Sequence, residues 1–214
     1  EKYLKNLKKL FEKIDELKEK ESVIESYETL VTVARDVLRF EGVVKVKDTE
    51  IPKVFDESVI QKGLLPAKIG RMLNEVFQAK IDYDKDKLTK AETQQARKLS
   101  REILKDLVEH LQRKRGRELE KTKIRVKHGD RYGEVILLGQ KAFIIHDLDH
   151  EEKEISVADV TSEGSLVNVR SASLEELEHA LAGVEIPAKT FIKQPIFDDL
   201  VRLFGKDVEI LVNY

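Results

Sequence analysis

The sequence contains no cysteine and no tryptophan, a single methionine, and four prolines in 214 residues. Without cysteine there can be no disulfide framework, no thiolate nucleophile and no zinc–cysteine site, and the composition is that expected of an intracellular protein. Apolar runs are short, well under the roughly 18 residues a membrane helix requires. No signal-peptide pattern opens the chain, which begins at Glu1 rather than at Met. These features give the expectation of a cytoplasmic chain with no membrane partner. A dominant charge is missing as well. The 39 basic residues nearly cancel the 41 acidic ones, so no global field draws in a polyanion, and contact with nucleic acid has to come from a local patch.

Charged residues nevertheless make up 37% of the chain, above the roughly 25% typical of soluble proteins, and 41% are hydrophobic. That balance supports a folded protein, and its abundance of Lys and Glu suits a thermophile's surface.

The apolar periodicity divides the chain in two. Leu4, Leu7, Phe11, Ile14 and Leu17 mark one amphipathic stripe. Val23, Tyr27, Leu30, Val31, Ala34, Val37 and Leu38 mark another, after a Ser22–Glu25 capping-box pattern and ending near Gly42. This leaves one bent helix or two. Val54, Phe55, Val59 and Ile60 come next on a short turn stopped at Gly63. Ile69, Met72, Leu73, Val76 and Phe77 then line the helix that begins at Pro66, and Asp82 to Asp86 read as a polar turn. Thr89 and Glu92 form a second capping-box pattern. The long helix behind it carries Ala96, Leu99, Ile103, Leu104, Leu107, Val108 and Leu111, and is expected to stop at Gly116 on a left-handed cap.

Past residue 122 the period shortens to that of strands, at Ile124–Val126, Val135–Leu138, Ala142–Ile145, Ile155–Val160, Leu166–Val169, Val184–Ile192 and Val208–Val212. Helices opened by Ser173 and Pro195 interrupt the series. The expected fold is α+β: a helical bundle over 1–117, then a small, mostly antiparallel β-rich domain with two helices over 122–214, built as a sheet or a partly closed barrel.

Two clusters carry candidate chemistry. Arg113, Lys114, Arg115, Arg117, Lys121, Lys123, Arg125 and Lys127 place eight cations within fifteen residues, with only Glu118 and Glu120 between them. If the later cations lie on a strand, their odd-numbered spacing puts them on one face, a strip able to touch phosphates weakly and without sequence preference. The alternative is a solvated hinge. His146-Asp147-Leu148-Asp149-His150 offers imidazole and carboxylate metal ligands at alternating positions, although Asp-rich segments between strands are also ordinary turns. Gly129-Asp130-Arg131-Tyr132-Gly133 reads as a hairpin turn, because it lacks the Gly-Lys-Ser/Thr ending of a phosphate loop.

Phe55 and Gly63, ahead of a helix ending Phe77-Gln78-Ala79-Lys80-Ile81-Asp82-Tyr83-Asp84 with a capped long helix after it, give residues 22–111 a pattern similar to the HEPN family of small helical bundles. Many members of that family are ribonucleases with an Arg, four to six intervening residues and a His. Here no Arg stands at that distance before any of the five His residues. The resemblance therefore implies the non-catalytic branch: a binding or regulatory protein without a cofactor, commonly homodimeric, contacting a nucleotide, RNA or a protein partner. The alternative it implies is enzyme-associated, either a divergent ribonuclease or an accessory region of a nucleotidyltransferase system.

Overall fold

A computed structural model describes the backbone of residues 2–184 and 192–212, and their side chains except at 2–8, 10, 16 and 17. The fold is α+β: the described residues form four helices ahead of a six-stranded antiparallel sheet that is accompanied by two more helices. The chain divides into two compact units, Glu1–Gln112 and Arg113–Tyr214. Among the described residues no helix is long and apolar enough to cross a membrane.

In the first unit α1 (Lys2–Phe40) is one unbroken helix. The expected capping box at Ser22 does not form, because residues 18–21 are good helix formers with neither Gly nor Pro to stop the turn. Ser22 instead donates its hydroxyl back to the Glu19 carbonyl at 2.6 Å, and Ser26 does the same to Ser22 at 2.8 Å. Phe11 is 61% exposed, whereas Val23, Leu30, Ala34, Val37 and Leu38 are buried. The second stripe alone is thus a core face among the described side chains.

A 3-10 turn (Asp48–Glu50) leads into α2 (Ile51–Phe55), which passes directly into a π-helical turn over Asp56–Ile60. There the Gln61 amide donates to the Asp56 carbonyl five residues back, at 2.8 Å. Next comes α3 (Ala67–Asp84), whose last turn includes Asp82 and Asp84 where the sequence suggested a polar loop. Gly70 lies where a Cβ would sit 3.2 Å from Ile60 Cγ1, so its missing side chain lets α3 approach the π turn. Phe55, Ile51, Val59, Leu73 and Val76 close this core together with Ile103 and Leu107 of α4 (Lys90–Glu120).

The Thr89–Glu92 box does cap α4. The Thr89 amide donates to Glu92 Oε2 at 2.8 Å, and the Glu92 amide donates to Thr89 Oγ1 at 3.3 Å. Bonds from the Thr89 hydroxyl and amide hold the Glu92 carboxyl below its ordinary pKa. At the far end the expected stop at Gly116 is wrong. Gly116 keeps an ordinary helical backbone, and the helix runs four residues further, as the good helix formers Arg117 to Glu120 allow.

The second unit arranges β1 (Lys123–His128), β2 (Arg131–Leu138), β3 (Lys141–Ile145), β4 (Ile155–Val160), β5 (Leu166–Ala172) and β6 (Val208–Val212) in the order β5-β4-β3-β2-β1-β6. Among the described strands β5 and β6 are the outermost. The strand read at Val184–Ile192 lies almost wholly outside the described residues. Strand alternation sends Ile124, Val126, Val135, Leu137, Ala142 and Ile144 to one face, under α6 (Pro195–Phe204). It sends Ile136, Phe143, Ile145, Ile155 and Val157 to the other, under α5 (Leu174–Ala182). Coverage on both sides explains why β2 and β3 read as continuous apolar runs. Ser173 caps α5, accepting from the Glu176 amide at 3.1 Å.

Candidate functional site

The β-hairpin turn at Gly129-Asp130 fixes the register of the cationic run. It pairs His128 with Arg131 and therefore sets Arg125 opposite Glu134 and Lys123 opposite Ile136. Lys123, Arg125 and Lys127 do share one face of β1, whereas Lys121 sits in the turn before the strand. Each of these four has a carboxylate. Lys121 meets Glu118 at 3.1 Å, and Lys123 meets Glu120 at 2.6 Å and Glu134 at 3.7 Å. Arg125 Nε lies 3.5 Å from Glu134, and Lys127 lies 3.5 Å from Glu209 of β6. Glu134 is only 7% exposed, so a buried carboxylate sits under the middle of the strip.

Arg113, Arg115 and Arg117 lie on the last turns of α4. Arg115 donates to the Leu181 carbonyl at 2.7 Å, satisfying one of the carbonyls that end α5. That role is structural. With so many paired cations, the intact chain is expected to retain single-stranded oligouridylate no better than a neutral protein at physiological salt in a filter assay. Glu134→Gln is expected to raise low-salt retention by uncovering Lys123 and Arg125. Tight, salt-sensitive retention by the unaltered chain would show instead that the pairs open to phosphate.

The residues His146, Asp147, Asp149 and His150 do not assemble as a ligand set; among the described residues no group of three or more His, Asp or Glu side chains is placed to hold a metal ion. Three of the four have another use as side chains. His146 Nε2 is 3.0 Å from Ser156 Oγ, and His150 Nδ1 is 2.8 Å from the Glu152 carbonyl. Asp147 Oδ1 accepts the Asp149 amide at 3.0 Å in an Asx-type turn. That hydrogen bond, helped by Arg131 at 3.7 Å, keeps the Asp147 carboxyl below its ordinary pKa. The turn chemistry uses the ligand-type atoms locally.

A concave feature lies elsewhere, in the first unit: a cleft of about 510 Å³ bordered by α1, by the 3-10 turn with α2 and the π turn, and by α3. Tyr27 of α1 and Phe77 of α3 form its aromatic wall, edge to face, with centroids 4.9 Å apart. Pro52 and Ile81 add apolar surface, and Lys53, Asp56, Asn74 and Gln78 supply polar groups. Lys80 Nζ stands 5.6 Å from the Tyr27 ring centroid and pairs with Asp84 at 2.6 Å. Burial raises the Tyr27 phenol above its ordinary pKa, and Asp48 and Asp84 add to the shift against an opposing Arg35. Tyr27 therefore stays neutral, a stacking surface with a hydrogen to donate.

Asn74 donates its amide nitrogen to the Gly70 carbonyl at 2.9 Å, and Gln78 donates to Asp82 Oδ1 at 3.1 Å. Each amide thus keeps its carbonyl oxygen as an acceptor for a ligand. The π turn beside Asp56 is a geometry often found at functional sites, and it displaces this wall from the regular helical path. None of the cleft residues stood out as a site in the sequence, since Tyr27 and Phe77 fall on core stripes. No family model matches the chain, and no curated protein or solved structure does either.

Proposed function

We propose that the chain is a non-catalytic binding protein whose helical unit, a small bundle of the HEPN-like kind, takes a purine nucleoside or nucleotide in the Tyr27–Phe77 cleft. The supporting observation is the combination of an aromatic wall with amide acceptors in a space of about 510 Å³, within the roughly 300–1,000 Å³ usual for small-molecule sites. A planar base stacks against the Tyr27 ring beside Phe77, which stands edge to face with it, its exocyclic amino group donates to the Asn74 or Gln78 carbonyl, and Lys53 at the rim meets any anionic tail the ligand carries. No group in this scheme performs a covalent step.

The test is calorimetric titration of the intact chain with adenosine, AMP and ATP. Binding is expected, and Phe77→Leu together with Tyr27→Leu should weaken it at least about tenfold, since stacking on an aromatic side chain contributes roughly 1–3 kcal/mol per base. Lys53→Ala should weaken ATP more than adenosine. The absence of heat from all three ligands at millimolar concentration overturns the reading.

A further inference from the structure

The first apolar stripe of α1 takes no part in the core of its own unit. Phe11 is 61% exposed and Ile14 37%, every side chain from Phe11 to Asp15 is exposed, and neither apolar residue belongs to a described core cluster. One unbroken helix is the cause. Phe11 and Val31, like Ile14 and Ala34, stand about five and a half turns apart, which sets the two stripes on opposite sides of α1. Val31 and Ala34 face the bundle core, and Phe11 and Ile14 face away from it. The sequence carries this outer stripe back through Leu7 and Leu4 at heptad spacing, and Lys18 and Glu21 end it. Helices in proteins draw most of their stability from packing an apolar face, and among the described residues nothing is packed on this one.

We propose that the outer stripe pairs with the same stripe of a second copy of the chain, the two α1 helices running antiparallel about a two-fold axis near Phe11. Charge along the helix selects both the occupant and the direction. Residues 2–9 hold four Lys and no acid, whereas 12–21 hold five acidic residues against three Lys, one of which, Lys20, already meets Asp86 at 3.7 Å. The helix is thus basic at one end and acidic further along, and it complements itself only when reversed. An antiparallel copy lays each basic stretch beside an acidic one, while a parallel copy sets like beside like. The contact is isologous, with Phe11 and Ile14 of both copies at the middle of the seam. A seam of about two heptads is short, so the pairing is weak and reversible.

Sedimentation velocity of the intact chain is expected to show a dimer at about 200 µM that dissociates on dilution. The double variant Phe11→Gln/Ile14→Gln keeps good helix formers at two exposed positions. It should raise the dissociation constant at least about tenfold and leave the urea midpoint of the dilute, monomeric chain unchanged. Direction is read from spin labels on single introduced cysteines, which a chain without cysteine accepts cleanly. In the antiparallel pair, labels at Lys13→Cys lie near the axis and those at Glu25→Cys stand about 20 Å or more further apart, since each residue adds about 1.5 Å along each helix. A parallel pair gives nearly equal distances at the two sites. A monomer at every concentration, which would leave the stripe to a partner of another sequence, overturns the proposal. So does a dimer untouched by the double variant, or one with equal label distances. None of these outcomes depends on whether the Tyr27–Phe77 cleft takes a nucleoside.

Discussion

Gly133→Ala should destabilise the β unit by about 1–3 kcal/mol, the usual cost of forcing an extra carbon into a packed interior. Gly133 lies in β2 on the face covered by α6, and a Cβ there would overlap Phe204 Cε1 and stand 2.9 Å from Cζ and 3.0 Å from the Ile145 carbonyl oxygen. The ring cannot step aside easily. His128 and His146 pack against Phe204 at centroid distances of 5.1 and 5.4 Å, and His128 Nε2 donates to the His146 carbonyl at 2.9 Å, which ties the two flanking residues together.

A double-mutant cycle separates this clash from the ordinary effect of Gly to Ala in a strand. In a Phe204→Ala background the same substitution should cost less by at least about 1 kcal/mol, since the two residues are in contact. Recovery should stop short of complete, because the Ile145 carbonyl is backbone and stays where it is. Urea unfolding reads both values. A Gly133→Ala chain within about 0.5 kcal/mol of the unaltered one would show that the Phe204 ring does not rest on the strand.

The arrangement around Gly133 is half legible in the sequence. Its place in the sheet derives from a hairpin turn at Gly129-Asp130, and once that turn is granted the pairing of Arg125 with Glu134 is arithmetic. The same arithmetic exposes the buried carboxylate beneath the cationic strip. Counting cations along the sequence misses it, because Glu134 lies on the next strand and not in the run. The strands themselves are legible from short apolar runs bounded by Gly or Asp, and the α4 start from Thr89 and Glu92.

Other features depend on tertiary context. Ser22 and Glu25 have the letters of a capping box, yet a serine inside strong helix formers donates back to the preceding turn and the helix continues. Gly116 has the letter of a cap, yet Arg117 to Glu120 support another turn of helix. The cleft is least legible. Its π turn over Asp56–Ile60 follows α2 directly, and no local pattern announces it. Tyr27 and Phe77 obey the periodicity of core residues, so only the packing of three segments shows that a hollow adjoins them. The acidic turn after β3 fails in the other direction. Its ligand-type residues are conspicuous, but the turn's own amide and carbonyl groups occupy Asp147 and His150, and the Ser156 hydroxyl of β4 occupies His146.

Phe55→Ala is expected to destabilise the helical unit by roughly 3–5 kcal/mol, the range for deleting a fully buried aromatic ring. Phe55 is 0% exposed and is the last residue of α2, immediately before the helix widens into the π turn. The ring sits within the same core as Ile51, Val59, Leu73 and Val76. Alanine leaves a void that close-packed helices fill only in part, whereas Phe55→Leu keeps much of the volume and should cost less than about half as much. The effect should reach the cleft, because Pro52, Lys53 and Asp56 are carried on the segment that Phe55 anchors. Conditions in which the Phe55→Leu chain remains folded should therefore show weakened adenosine binding, with Tyr27 and Phe77 both still present. Urea unfolding followed by the helical circular dichroism signal gives the stabilities, and calorimetry gives the affinity. A Phe55→Ala chain that unfolds within about 1 kcal/mol of the unaltered one would mean that the π turn is held by something other than this ring.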